Sequence, residues 1–447
     1  MTEKGFSQGP EDKYVLVTGA NSGLGFSICC RLADEFLRSN ASSATLSIIF
    51  TTRSARKAQD TTRRLEAHLR SSSSSPAETS RVRFLPESVD LGSLLSVRAC
   101  SRKVTATYPK LDAIILNAGL GGWSGIDWPS AIWGVCTDLL HQVTWPNYKI
   151  SPIGILADNQ TANAPVPQSE PALGSIFCAN VFGHYMLAHN VAPLLKRATG
   201  FSGPGRIIWV TSIEATLKFF DVDDIQGLKS ATPYESSKQL TDLLALTADE
   251  PGSAPWAVDS FFASDEDGAG QLVEDDAAYV ATSTPTMHLA HPGICATSIV
   301  PLALPLIWAM MIAFYGARWL GSPWHTMNTY LAAITPVFLA LSSNAQLDDA
   351  EAPYRQAGGG RPKWGSGTTR GGAEKIFCTE TAGWGYAGVV GTPVVKADEL
   401  RRRKRGATDL TAEQKEDFLE LGRQSWKQME ELRIKWDAIL DEAEQAQ

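Results

Sequence analysis

In the stretch PYESSKQL a tyrosine, Tyr234, stands four residues before a lysine, Lys238. A phenol is a weak acid, with a pKa of about 10 in water, and a neighbouring ammonium favours its ionised form. Residues four apart share one face of a helix, so this spacing sets the ammonium beside the phenol. Such a pair can hand a proton to an oxygen that is gaining negative charge. Ser212, at the end of GRIIWVTS, has no basic partner near it in sequence. It reads as a hydrogen-bond donor to a carbonyl rather than as a nucleophile. Tyr-x-x-x-Lys is a common spacing, and alone it marks no more than the first turn of a helix after Pro233. The surrounding chain has to supply the rest of a site.

It does so first at VTGANSGLG, residues 17–25, directly after the apolar run YVLV. Gly19, Gly23 and Gly25 let the backbone turn sharply and approach a pyrophosphate, which then sits at the positive end of the following helix. Ser22 and Leu24 complete that turn. At the end of the second apolar run the sequence reads FTTRSARK, with Thr52, Arg53, Arg56 and Lys57 and no acid. A carboxylate there would bind a ribose 2′-hydroxyl, whereas a guanidinium pairs with a 2′-phosphate. The pattern therefore favours NADPH. The plainer alternative, a solvated helix start, is weakened because cations are disfavoured at a helix N-terminus.

These residues are spaced along a regular rhythm. Short apolar runs at 14–17, 45–50, 82–86, 111–117, 205–212 and 287–293 alternate with helical stretches. Continuous apolar strands joined by helices form a parallel sheet covered on both faces, the doubly wound, Rossmann-type α/β architecture. Residues 121–171 break the rhythm and are rich in Trp, Pro, Gly and Asn, as a surface insertion would be. Residues 251–284 are acidic and rich in small residues, which suits a mobile loop. From Thr411, a plausible N-cap, apolar residues recur at helical spacing, predicting an amphipathic helix over 411–445. The expected division is a dinucleotide-binding domain over 1–345, with insertions near 120–171 and 251–285. A helical C-terminal extension, 346–447, follows and includes the basic stretch 401–405.

The 447 residues are 44% hydrophobic and 20% charged, a globular composition. A formal charge of −8 gives no general attraction to phosphate backbones and argues against nucleic acid as a partner. Seven cysteines without Cys-x-x-Cys spacing argue against a disulfide framework and a structural zinc site. His184, His189 and His291 lack metal-ligand spacing, so no metal is expected. The first residues lack the apolar core of a signal peptide.

Taken in order, these motifs resemble the short-chain dehydrogenase/reductase superfamily. TGANSGLG matches its cofactor turn, and VDL matches the acidic segment at the adenine, here Asp90 and Leu91. NAG, Asn117, Ala118 and Gly119, matches the segment after the fourth strand. HPGICAT supplies the Pro292–Gly293 turn and Thr297. The resemblance implies that Tyr234 and Lys238 form the catalytic dyad, that Lys238 also holds the nicotinamide ribose, and that Asn180 supports a water relay to the lysine. One departure is that 22 positions separate Ser212 from Tyr234. About a dozen is usual, but a longer loop between anchored ends is tolerable, and it is expected to border the substrate mouth.

More narrowly, TGANSGLGFSICCRL, NAGLGGW, FCANVFGHYMLAHN, SSKQLTDLLAL, GWGYAGVVG and RRRKRGATDLTAEQK are similar to the fungal 3-ketosteroid reductases of sterol C-4 demethylation. That resemblance implies NADPH-dependent reduction of a sterol 3-ketone to the 3β-alcohol in ergosterol synthesis. It also implies an address on the cytosolic face of the endoplasmic reticulum membrane, with lipid droplets as a second one. The implied partners are the sterol C-4 methyl oxidase, the C-3 dehydrogenase/decarboxylase and a scaffold protein. The rival expectations are a reductase for another lipophilic ketone, such as a 17-ketosteroid or a retinoid-like substrate, and a non-catalytic dinucleotide sensor. The Tyr–Lys pair counts against the sensor.

Residues 299–320 are almost wholly apolar, interrupted at Pro301 and Pro305. Three readings stay open: a buried lid helix, an element dipping into one leaflet, and a full span. RRRKR at 401–405 is either a headgroup contact or a solvated charge run.

Overall fold

The computed structural model describes residues 12–39, 43–162, 169–198, 203–250, 255–263, 284–296, 304–399, 403–404 and 406–445. Six strands fall on the expected apolar runs: β1 (Lys13–Val17), β2 (Leu46–Thr52), β3 (Val82–Ser88), β4 (Ala113–Leu116), β7 (Arg206–Val210) and β8 (Thr286–His291). Two short strands of the insertion, β5 (Gly125–Ile126) and β6 (Lys149–Ile150), pair antiparallel with each other. The pair β9 (Ile294–Cys295) and β10 (His325–Met327) follows β8. Two further strands, β11 (Lys363–Thr368) and β12 (Glu374–Thr379), complete the main sheet.

Among the described residues that sheet has eight strands in the order β12-β11-β8-β7-β4-β1-β2-β3. β11 runs parallel to β8, and β12 turns back antiparallel at the edge. The reversal of strand order between β1 and β4 opens a crevice at the carboxyl ends of the strands, where this architecture binds ligands. One face of the sheet is covered by helices Gly23–Ser39 and Ile334–Leu341, with Phe36, Val337 and Leu339 buried. The other face carries helices Leu94–Thr107, Gly183–Asn190 and Pro233–Thr247, with Val97, Tyr185 and Leu243 buried.

The structure corrects two expectations about organisation. β11 and β12 read KWGSGT and EKIFCT, which lack a continuous apolar run, so sequence periodicity does not reveal them. Because they close the central sheet, and because position 345 lies inside helix Asn344–Gln356, the fold does not divide there. Of residues 251–285, the structure builds helix Pro255–Phe262, whose Ala257 and Phe261 are buried; the rest lies mainly outside the described residues. The insertion lies mostly at the surface, but Trp123 and Lys149 reach inward to the site.

The tail helix, Ala412–Gln445, begins after a reciprocal cap in which the Gln414 amide donates to Thr411 Oγ1 and the Thr411 amide donates to Gln414 Oε1. It lies against helix Pro233–Thr247, with Trp426, Met429 and Trp436 fully buried. The Trp426 indole donates to Leu244 O at 3.1 Å. Truncating such a tryptophan costs about 3–5 kcal/mol, so the tail braces the helix that carries Tyr234.

Candidate active site

Strand β7 ends in Val210, and the chain continues through Thr211 and Ser212 into the crevice. Helix Pro233–Thr247 starts beside it, with Pro233 in the first turn, where its fixed φ and missing N–H are harmless. Ser212, Tyr234, Lys238 and Asn180 converge here. The Tyr234 hydroxyl faces Ser212, whose side chain favours the ionised phenol. Ser212 Oγ accepts the Glu214 amide at 3.1 Å, which orients the hydroxyl. Lys238 Nζ lies 5.8 Å from the Tyr234 ring centroid and donates to Val210 O at 2.9 Å.

Asn180 lies in a single π-turn, Cys178–Phe182; such bulges often occur at functional sites. Its carboxamide is fully engaged: Oδ1 accepts the Leu120 amide at 2.7 Å, and Nδ2 donates to Leu120 O at 2.9 Å and to Ser237 Oγ at 3.3 Å. A methyl group on Gly119 would lie 3.1 Å from Asn180 Oδ1 and 4.0 Å from Lys238 Nζ. Close packing thus favours glycine at the third position of NAG, since any side chain there would push the Asn180 carboxamide aside.

The Tyr234 phenol is pushed well above its usual value, by burial first and by the Glu214 carboxylate second, while Ser212 pulls the other way. Burial drops the Lys238 ammonium to about 8, with Asp242 opposing and Lys363 adding to the fall. The structure therefore holds the tyrosine as a phenol, the form that can donate a proton.

The glycine turn fits a dinucleotide. Gly19 and Gly23 have φ of 69° and 56°, in the left-handed region that favours glycine. A Cβ on Gly25 would come within 2.3 Å of Gly19 O, while one on Gly23 meets nothing within 4 Å. The space in front of the helix N-terminus is open, and that helix has no acid in its first turn. The Gly19 amide donates to Thr51 Oγ1 at 3.2 Å, tying the turn to β2. The Val89 amide donates to Thr52 O at 3.0 Å, setting exposed Asp90 and buried Leu91 beside the exposed Arg53. Asp90 Oδ1 accepts the Gly92 amide at 3.0 Å. The Asn117 amide and the Ala118 amide both donate to Thr18 Oγ1, at 2.8 and 3.0 Å. Pro292 and Gly293 (φ 67°) form the turn after β8; Thr297 lies outside the described residues. Gly19, Ser22, Gly23, Leu24 and Gly25 would hold a pyrophosphate, and Arg53, with no acid nearby in sequence, suits the 2′-phosphate of NADPH. When bound, that cofactor supplies the hydride.

Several residues of the site escaped the sequence reading. Thr18 Oγ1 also lies 2.9 Å from His184 Nε2, and His184 Nδ1 lies 3.2 Å from Asn180 O, so one buried histidine links the cofactor turn to the π-turn. Burial drops His184 to about 3, which keeps it neutral. Asp242, buried one turn beyond Lys238, accepts from Lys363 Nζ at 2.5 Å and from Thr211 Oγ1 at 2.5 Å. Lys363 also donates to Ser212 O at 2.7 Å. The spacing of Lys238 and Asp242 was a visible signal; nothing local announced Lys363. From the insertion, Trp123 meets Tyr234 edge-on, with ring centroids 4.9 Å apart. Among the described residues no His/Cys/Asp/Glu group is arranged to hold a metal ion.

The apolar segment is described from residue 304. Helix Leu304–Trp319 buries Phe314 and Ala317 against Val143 and Met327 but leaves Trp308 70% and Ile312 71% exposed. It is not a buried lid. Among the described residues no single helix is long and apolar enough to cross a membrane. One bent pair, Thr329–Leu341 with Asn344–Gln356, passes by length and composition, yet Val337, Leu339 and Leu347 of that pair are core residues. In the basic stretch, Arg403 pairs with Glu380 and Asp409, both at 2.7 Å, so it is neither free for headgroups nor merely solvated.

The strand order, the glycine turn and the Ser–Tyr–Lys set together define an oxidoreductase of the short-chain dehydrogenase/reductase class. No family model matches the chain. The chain is 59% identical to the 3-keto-steroid reductase erg27 of Aspergillus fumigatus, over 96% of this chain and 95% of that protein. It is 39% identical to the 3-keto-steroid reductase ERG27 of Gibberella zeae, over 96% and 95%. With erg27 of Schizosaccharomyces pombe it shares 30%, over 82% and 90%. The chain belongs to this family of 3-keto-steroid reductases. Among solved structures, L-sorbose reductase from Gluconobacter frateurii, complexed with NADPH and L-sorbose, matches with a TM-score of 0.41 and 17% identity, covering 75% of this chain and 94% of that one.

Proposed function

We propose that this chain uses NADPH to reduce the 3-keto group of a C-4-demethylated sterol intermediate to the 3β-alcohol, a step of ergosterol synthesis. The observation that carries the reading is the near-full-length match to 3-keto-steroid reductases. The meeting of Ser212, Tyr234 and Lys238 at the sheet crevice supports it. In this reading Ser212 donates to the ketone oxygen and polarises it. As negative charge builds there, the Tyr234 hydroxyl gives up its proton. Lys238 stabilises the phenolate that the departing proton leaves behind and holds the nicotinamide ribose, and Asn180 anchors the Leu120 backbone at the edge of the site. Tyr234→Phe is expected to lower turnover of a 4-methyl-3-keto sterol about 10²–10⁴-fold while leaving NADPH binding intact. Full turnover by that variant, or none by the wild type, sinks the proposal. Comparing 17-ketosteroids and NADH in the same assay separates the rival substrates and cofactor.

The same reading places the protein at the cytosolic face of the endoplasmic reticulum membrane, with lipid droplets as a second address. What supports this is a set of exposed apolar side chains on two elements that pack on one small cluster. Helix Leu304–Trp319 contributes Leu304, Trp308 and Ile312, and helix Trp128–Thr137 of the insertion contributes Ile132 and Trp133. An interfacial helix buries such a face among acyl chains without spanning the bilayer. A sterol resides in the same layer. Working beside the sterol C-4 methyl oxidase, the C-3 dehydrogenase/decarboxylase and a scaffold protein belongs to the proposal too. Co-purification of these proteins with the tagged chain from detergent-solubilised membranes tests it.

A further inference from the structure

One charged group stands against Tyr234 from an element that the central sheet does not require. Lys149, on β6 of the insertion, places Nζ 2.6 Å from Glu214 Oε2 and 2.8 Å from Glu235 Oε1. The same ammonium lies 4.2 Å from the Trp123 ring centroid and 5.5 Å from that of Tyr234. All three charged side chains are largely withdrawn from solvent. Glu214 comes from the turn after β7 and Glu235 from the helix of Tyr234 itself, so one lysine ties three elements together beside the phenol.

The balance of charge there is uneven. Tyr234 is faced by Glu214 and Glu235, by Lys238 on its own helix, by Lys149 on β6 and by the Cys295 thiol on β9. Lys404 adds a more distant cation to Glu214. Two carboxylates in a poorly solvated pocket repel a phenolate, and an ammonium between them cancels much of that repulsion. Burial alone would discharge Lys149, but Glu214 and Glu235 outweigh it and hold the ammonium charged.

We propose that Lys149 is a positioning residue for the proton transfer: it fastens the insertion over Tyr234 and shields the phenol from the Glu214 and Glu235 carboxylates. The inference rests on the ketone reduction proposed above. It deepens that reading by giving the insertion a part in the chemistry.

The test follows the reverse reaction, oxidation of a 3β-hydroxysterol by NADP, in which Tyr234 must be phenolate and the rate climbs with pH. Lys149→Met is expected to move that limb up by about one pH unit and to lower kcat more than it raises KM. Lys149→Arg keeps the wild-type limb. Glu214→Gln alone moves the limb down, and Lys149→Met/Glu214→Gln returns it toward wild type. A purely structural role would lower the rate at every pH and leave the limb in place. The ultraviolet difference between each protein and its Tyr234→Phe counterpart titrates the same phenol without any substrate. An absence of sterol turnover in the wild type therefore counts against the function and not against Lys149. If Lys149→Met does not fold, Glu214→Gln carries the test. A limb and a phenol titration unmoved in the folded variants overturn the proposal.

Discussion

Replacing Lys363 by methionine keeps the length of the side chain and removes its charge from the most buried ion pair beside the site. Lys363 and Asp242 are almost fully buried and 2.5 Å apart. Breaking such a pair costs about 3–5 kcal/mol, because the partner is left charged in a poorly polarisable interior. Here Asp242 keeps the Thr211 hydroxyl and gains a larger share of Lys238, so the lower end, about 3 kcal/mol, is expected. With an unfolding entropy of ~2.1 cal/mol/K per residue, 447 residues convert that into a fall in Tm of about 3 °C. The second effect has the opposite sense. In the wild type Lys238 loses its proton near pH 8, held down by burial and by Lys363. An ammonium that holds the cofactor ribose then makes NADPH affinity fall as pH rises through about 8. With Lys363 gone, Lys238 and Asp242 stand one to one, Lys238 keeps its proton to higher pH, and the fall in affinity moves upward. Between about 8 and 10.5 the unfolded chain binds a proton that the folded one has released, so stability from this group rises with pH in that window. Removing Lys363 narrows the window. Thermal melts and NADPH fluorescence titrations from pH 7 to 10 read both effects. A melt within about 1 °C of wild type together with an unmoved alkaline limb would refute the reasoning. Lys363→Met/Asp242→Leu should recover most of the lost melting temperature, as apolar replacement of a whole buried pair often does.

Gly25→Ala places a methyl group 2.3 Å from Gly19 O, against backbone that cannot yield cheaply; NADPH binding by fluorescence should weaken at least about tenfold, and unchanged affinity would show that the turn does not hold the cofactor. His184 is kept neutral down to about 3 against an ordinary 6.5. The unfolded chain therefore takes up a proton that the folded one refuses, and stability is lost as pH falls below 6.5, by about 1.4 kcal/mol per unit. His184→Gln should remove one proton's worth of that slope in urea melts at pH 7, 6 and 5; an unchanged slope would mean the ring is not held neutral. Trp133→Glu and Trp308→Glu change residues 74% and 70% exposed, so melts should stay within about 0.5 kcal/mol. Sedimentation with phosphatidylcholine vesicles should fall severalfold, and undiminished sedimentation would remove that surface from the membrane proposal.

Local chemistry made much of this protein legible from its sequence. Glycine's access to positive φ, and the need to bring backbone against a pyrophosphate, mark the turn at Gly19, Gly23 and Gly25 without reference to any distant residue. Apolar runs of strand length mark β1, β2, β4, β7 and β8, because each is buried on both faces, while β3, at the sheet edge, alternates buried and exposed residues. The four-residue spacing of Tyr234 and Lys238 is a property of one helix. Tertiary structure decided the rest. KWGSGT becomes β11 only because β8 offers it a partner edge and the interior accepts Lys363 beside Asp242, 121 positions earlier in the chain. The acidity of Tyr234 is likewise absent from PYESSKQL. It depends on burial and on Glu214 from the turn after β7, a carboxylate that Lys149 of the insertion pairs with across the site. Strand and turn preferences act over a few residues and are written locally, whereas burial and charge act through space. Only the folded chain determines which groups share that space.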